Sequence, residues 1–173
     1  MKTKTISAAL LLTASLFGTA AEPTTTKPVS PEFERMKTLV GTWTGTVDMG
    51  EGPVDMTVRY RLIAAGSVIE ERCMEGTPNE MVTMYFDNKD GKLALTHYCM
   101  MGNQPAMNLK SSDAKSITFD FDPTRTTINP AKDSHMHGLT IRFEDADTIS
   151  SSCKAIMDGK EMPEHATVLK RVK

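Results

Sequence analysis

Hydrophobic and polar residues alternate with a period of two from Gly41 almost to the C-terminus. The segments TWTGTVD (42–48), VDMTVRYRL (54–62), SVIEERCM (67–74), EMVTMYF (80–86), KLALTHYCMM (92–101), SITFDF (116–121), HGLTIRF (137–143), TISSSCKAIM (148–157) and HATVLKRV (165–172) all carry this alternation. Turn-forming runs such as MGEGP, AAG, EGTPN, DNKDG and DGKEMP separate them, which is the signature of short strands joined as a meander. About 150 residues of such strands must stack as two sheets or close into a barrel, and closure alone removes the exposed edges. The expected fold is therefore all-β, an antiparallel up-and-down barrel of about nine to ten strands.

A helical period occurs only ahead of this region. In SPEFERMKTLV, Ser30 can cap a helix with Pro31 at its first position, and Phe33, Met36 and Leu39/Val40 then share a face. One short N-terminal helix follows. Before it, EPTTTKPVS (22–30) is a Pro/Thr-rich leader with too little apolar surface to order itself.

The first 21 residues add a destination. MKTK is a short basic segment, ISAALLLTASLFG an apolar run, and small residues follow, so residues 1–21 read as a secretory signal peptide. The run is too short to remain as a membrane span. Cleavage after Ala21 leaves about 152 residues, with 31–173 as one barrel domain, and an exported product for the periplasm or the extracellular space. Losing Lys2 and Lys4 leaves 18 basic against 22 acidic residues, a net charge near −4. The basic residues are scattered apart from LKRVK at the C-terminus, so no nucleic-acid footprint is present.

Alternation also assigns faces. Leu93, Leu95, His97, Cys99 and Met101 share one side of their strand; His135 and His137 travel with Leu139, Ile141 and Phe143; His165 travels with Thr167, Leu169 and Arg171. All four histidines thereby fall on faces expected to be interior, where convergent polar groups among apolar walls make a ligand cavity. Beyond His97 and Cys99, Gly102 permits a bend, and Asn103 and Gln104 fall at the expected rim. The candidate ligand-binding residues are His97, Cys99, Asn103, Gln104, His137 and His165.

Two sequence stretches carry a family resemblance. LVGTWTG resembles the Gly-x-Trp opening of lipocalin and related calycin barrels, in which the Trp closes the base against a basic residue of the last strand. Gly41, Trp43 and Arg171 match those structural positions. GTPNEMVTMYF, LTHYCMMGNQPAM and DGKEMPEHATVLKRVK together resemble a family of bacterial lipocalin-like proteins of undetermined function, grouped beside heme-binding barrels of the nitrobindin type. The resemblance covers nearly the whole mature chain. Asn79 stands where the family pattern has His before EMVT, and Cys153 where it has an aromatic residue.

The function expected is an exported protein that holds a small, largely apolar molecule inside a β-barrel, with no cofactor and no metal. Two alternatives remain at this stage. Interior histidines could hold heme, through His97, His137 or His165, or a transition metal; and Cys99 or a histidine could act on a sequestered substrate. Catalysis is not needed to explain any feature, since the chain has no Gly-x-Ser-x-Gly elbow, no HExxH and no phosphate-cradling or dinucleotide loop. Glu70 and Glu71 are adjacent on a strand and face opposite ways, so they cannot act as a carboxylate pair. Three cysteines, Cys73, Cys99 and Cys153, leave open one disulfide or three buried thiols. Oligomeric state is not encoded in any of these patterns.

Overall fold

The computed structural model describes residues 29–48 and 52–173, except for the side chain of His165. Residues 1–21, expected to be a signal peptide, and most of the expected leader lie outside the described residues. A helix α1 (Pro31–Lys37) precedes strands β1 (Gly41–Asp48), β2 (Pro53–Ile63), β3 (Val68–Cys73), β4 (Met81–Asp87), β5 (Leu93–Tyr98), β6 (Ala106–Ser112), β7 (Ser116–Phe121), β8 (His135–Phe143), β9 (Thr148–Met157), β10 (Lys160–Glu161) and β11 (His165–Arg171). All pairings are antiparallel between sequence neighbours until β9, which pairs with β8 on one side and β11 on the other, while β11 returns to β1. The result is a closed barrel of ten strands, with the two-residue β10 added as a short hairpin on β9.

The base of the barrel is closed by α1. Ser30 caps the helix by accepting from the Phe33 amide at 3.0 Å, and its own amide and hydroxyl donate to the Asp87 carboxylate, each at 2.6 Å. Phe33, Met36 and Leu39 are buried, while Val40 is exposed. Arg35 donates to the backbone of Asp113 and Ala114 in the β6–β7 turn and lies over the Phe143 ring. The amphipathic face of the helix is thus the plug, held at its edge to Asp87 of β4, to the β6–β7 turn and to Phe143 of β8.

Trp43 lies in this base, fully buried, with its indole Nε1 donating to Leu39 O at 2.8 Å. Arg171, its register partner on β11, places its guanidinium 4.2 Å from the indole centroid and donates to the carbonyls of Thr38 and Val40. Gly41 has φ +134°, and a Cβ there would meet Arg171 Nη1 at 3.0 Å. Cation–π attraction, ring burial and carbonyl capping therefore converge on one stacked unit.

Two details of the strand reading are corrected. The strand expected over 92–101 ends at Tyr98; Cys99 belongs to a turn in which the Cys99 amide donates to Asn103 O and the Gly102 amide to Cys99 O, both at 3.0 Å. Gly102 adopts φ +75° there, a conformation costly for any side chain. And β6 was not among the segments read as strands. Its sequence AMNLKSS turns polar after Leu109 and its register shifts between Leu109 and Ser111, so alternation is broken where it would have been read. A second bulge lies between Met136 and Gly138 in the β8–β9 ladder.

Candidate functional site

The lumen divides into an apolar lower part and a polar upper part. Ile69, Leu93, Leu95, Ile117, Phe119 and Ile141 are at most 1 % exposed. Above them, register places Tyr60 of β2 beside Glu71 of β3 and Glu71 beside Thr83 of β4, with His97 of β5 next in line. Tyr85 Oη donates to Glu71 Oε2 at 2.6 Å, and the Tyr60 and Thr83 hydroxyls also favour its charged form. Thr83 Oγ1 and His97 Nδ1 are 2.9 Å apart. Glu71 and Cys153 keep partial accessible surface although protein encloses them, the behaviour of side chains facing internal space instead of bulk water.

The electrostatics of this cluster follow from burial. Burial raises the Glu71 carboxyl above the ordinary range, and the hydrogen bonds from Tyr85, Tyr60 and Thr83 oppose that rise. Tyr60 and Tyr85 are pushed well above the usual phenol value, first by burial and then by Glu71. Burial lowers His97 to about 4. Glu70, facing outward, behaves oppositely: although 5 % exposed, it is held below the usual carboxylate range because Arg61 and Arg72 outweigh its burial. Adjacent glutamates thus occupy opposite environments, as strand alternation requires.

Hydrogen-bond donors fix two imidazoles. If the single Thr83 proton serves Glu71, its oxygen accepts from His97 Nδ1–H, which leaves Nε2 of His97 as a lone pair. At the top of β8, His135 Nδ1 donates to Asp133 O at 2.7 Å, because a carbonyl only accepts. In the neutral pair, His135 Nε2, 3.0 Å from His137 Nδ1, then accepts from it, and Nε2 of His137 carries the lone pair. Phe121 packs on both rings, with centroids at 4.5 and 5.4 Å. Both nitrogens of His135 are engaged and its ring is fully buried, so among the described imidazoles only His97 and His137 could offer a nitrogen to a metal or heme. His165 stands opposite Cys153 in the β9–β11 register. Among the described residues, no three of His, Cys, Asp and Glu are arranged to hold a metal ion.

The remaining candidates are dispersed. Asn103 spans from the β5–β6 turn to the segment before β8, its Nδ2 donating to Ser134 O at 2.7 Å. Gln104 is exposed, and its carbonyl accepts from Thr126 Oγ1 at 3.0 Å. Cys73, Cys99 and Cys153 are free thiols. Burial raises Cys99, and burial followed by Glu71 raises Cys73 and Cys153 to about 12, which opposes thiolate chemistry.

Glu71, Tyr60, Thr83 and Tyr85 were not singled out in the sequence. The available signal was parity: Glu71 alternates with Ile69 and Cys73 on the inward face, and a carboxylate among such neighbours is the anomaly to notice. Two surface pockets lie elsewhere. One of about 560 Å³ sits outside the barrel between Asn88–Asp90 and Asp122–Arg125, and one of about 380 Å³ flanks Trp43 and Arg171 at the base. Neither is lined by Glu71 or His97.

The strands close a ten-stranded antiparallel β-barrel preceded by one short helix. Among solved structures it is similar to the one described as the crystal structure of Rv2717c from M. tuberculosis, with a TM-score of 0.54, 16 % identity, and coverage of 84 % of this chain and 100 % of that chain. At that identity the likeness shows the fold alone. The sequence matches no family model and no curated protein. No helix among the described residues is long and apolar enough to cross a membrane.

Proposed function

We propose that the protein is an exported binding protein that takes up a small, largely apolar molecule in the upper lumen of the barrel. One observation carries this reading: inward-facing Glu71 and Cys153 retain accessible surface inside the barrel, beside the polar groups of Tyr60, Thr83, Tyr85 and His97 and next to a packed apolar core. A few oriented polar groups among apolar walls are what a small-molecule site requires, and a core evolved only for packing would fill that space. The signal-peptide-like N-terminus and the thiol-favouring surroundings of Cys73 and Cys153 support binding in preference to catalysis. The test is titration of the mature chain with the neutral dye N-phenyl-1-naphthylamine. Saturable, stoichiometric enhancement of its fluorescence is expected, and its absence would overturn the reading.

A second reading rests on the imidazoles. Each of His97 and His137 has Nδ1 held by a hydrogen bond and Nε2 left free, the arrangement in which outer partners orient a metal-ligating histidine. Bound heme would supply redox or diatomic-gas chemistry, while the chain would hold it through one of these nitrogens, as the nitrobindin-type resemblance implies. Reconstitution with hemin tests this: a Soret band lost in His97→Ala or His137→Ala supports it, and a spectrum identical to free hemin refutes it.

A further inference from the structure

Glu71 poses a problem that apolar ligand binding alone does not solve. A buried carboxylate needs a cation, a proton or a dense set of donors, because ionisation in low dielectric is costly. Its surroundings can be named strand by strand: Tyr60 from β2, Cys73 on its own strand, Thr83 and Tyr85 from β4, His97 from β5 and Cys153 from β9. All are neutral donors or weak acids except His97, whose low value keeps it uncharged above about 4. No lysine or arginine among the described residues pairs with Glu71. The inward-register arginine, Arg171, is committed at the base to Trp43 and to backbone carbonyls. By contrast, Glu70 on the outer face has two arginines. The chain supplies countercharge to the outward carboxylate and none to the inward one.

We propose that Glu71, backed by the Tyr60 and Tyr85 hydroxyls, is the receptor for a cationic head group, so that the ligand is an apolar molecule bearing an ammonium or amidinium group. The inference rests on the binding function proposed above and narrows its ligand. Burial without a cation holds the Glu71 carboxyl above its ordinary range; entry of the cation favours the ionised form. The proton that Glu71 loses goes to solvent, and the ligand's positive charge replaces it. Cys73 and Cys153 line the same space without competing, since burial keeps both as neutral thiols. The tyrosines hold the carboxylate oxygens in place by donating to them, which fixes where the head group docks.

The experiment is competition against bound N-phenyl-1-naphthylamine by dodecylamine, dodecanol and dodecanoate, three ligands of one chain length that differ in head-group charge. Dodecylamine should displace the dye at a concentration at least about tenfold below dodecanoate, the scale of a close, desolvated charge pair. In Glu71→Gln that ratio should collapse. Calorimetry of wild-type protein in two buffers of different ionisation enthalpy reads proton release directly, and needs no variant to fold. Release on dodecylamine binding that grows as the pH is lowered supports the inference. Dye uptake with no preference for the amine, or a preference undiminished in Glu71→Gln, or no proton release at any pH, would overturn it while leaving the binding function standing. Failure of wild-type protein to take up the dye at all would instead remove the function on which it rests.

Discussion

His97 offers the sharpest quantitative test of how the interior is built. Its ring is 7 % exposed, bonded only to Thr83 in the described structure, and burial lowers it to about 4. An unfolded chain protonates this imidazole near 6.5, the folded protein only near 4. The neutral histidine therefore contributes its full stability above pH 6.5, and that contribution is lost as the pH falls from 6.5 to 4. At 1.36 kcal/mol per pH unit the loss is about 3 kcal/mol, equivalent to a fall of roughly 6–12 °C in melting temperature for a chain of this length. Glu71 acts in the opposite direction, because the folded protein accepts its proton before the unfolded chain does, so acidification relieves a cost. The two are separated by working in a Glu71→Gln background and comparing it with the His97→Gln, Glu71→Gln double variant, whose amide can still meet Thr83. Urea denaturation at pH 7.5 and pH 4.5 should show the single variant losing about 2.5 kcal/mol more than the double variant, since pH 4.5 stops short of the end of the window. Parallel losses in the two proteins would refute the account, and would mean that the imidazole reaches water on acidification at little cost.

Three further outcomes follow from the same structure. Trp43→Ala should destabilise the chain by about 3–5 kcal/mol, since it empties the base and strips the Arg171 guanidinium of its ring; a loss under about 1 kcal/mol in urea denaturation would contradict that packing. Glu71→Gln should be more stable than wild type at pH 8, with the difference vanishing as the pH falls toward 4.5, because only the ionised carboxyl carries the burial cost; thermal melts across that range decide it. A thiol-reactive dye at pH 8 should label Cys73 and Cys153 slowly in the native protein and all three cysteines quickly in denaturant; rapid native labelling of both would show that the lumen does not enclose them.

The fold was readable because its information is local. The N-cap at Ser30, the proline after it and the apolar spacing of Phe33, Met36 and Leu39 suffice to write one helix, and period-two alternation suffices to write most strands, since each pattern is imposed by backbone geometry within a few residues. The misreadings fall where local pattern and register part. At Cys99 the run of apolar residues continued past the turn that Gly102 allows, and β6 lost its alternation to a bulge at Leu109/Ser111.

By itself the sequence determined that strands would dominate, that they would close, that one short helix would precede them, and that Glu70 and Glu71 would point apart. Only the tertiary structure decided which residues would meet. Tyr60, Glu71, Thr83, Tyr85 and His97 come from four strands that pair side by side, and Cys153 joins them from β9, on the other side of the closed ring. Methionines that scatter along the chain likewise separate into buried Met36, Met107 and Met136 and exposed Met100, Met101, Met157 and Met162. The physical reason is that alternation specifies a face, whereas register and closure specify a neighbour. Whether an inward carboxylate finds a cation, a hydroxyl or empty space depends on strands tens of residues away, and that sets its charge and the chemistry of the cavity it faces.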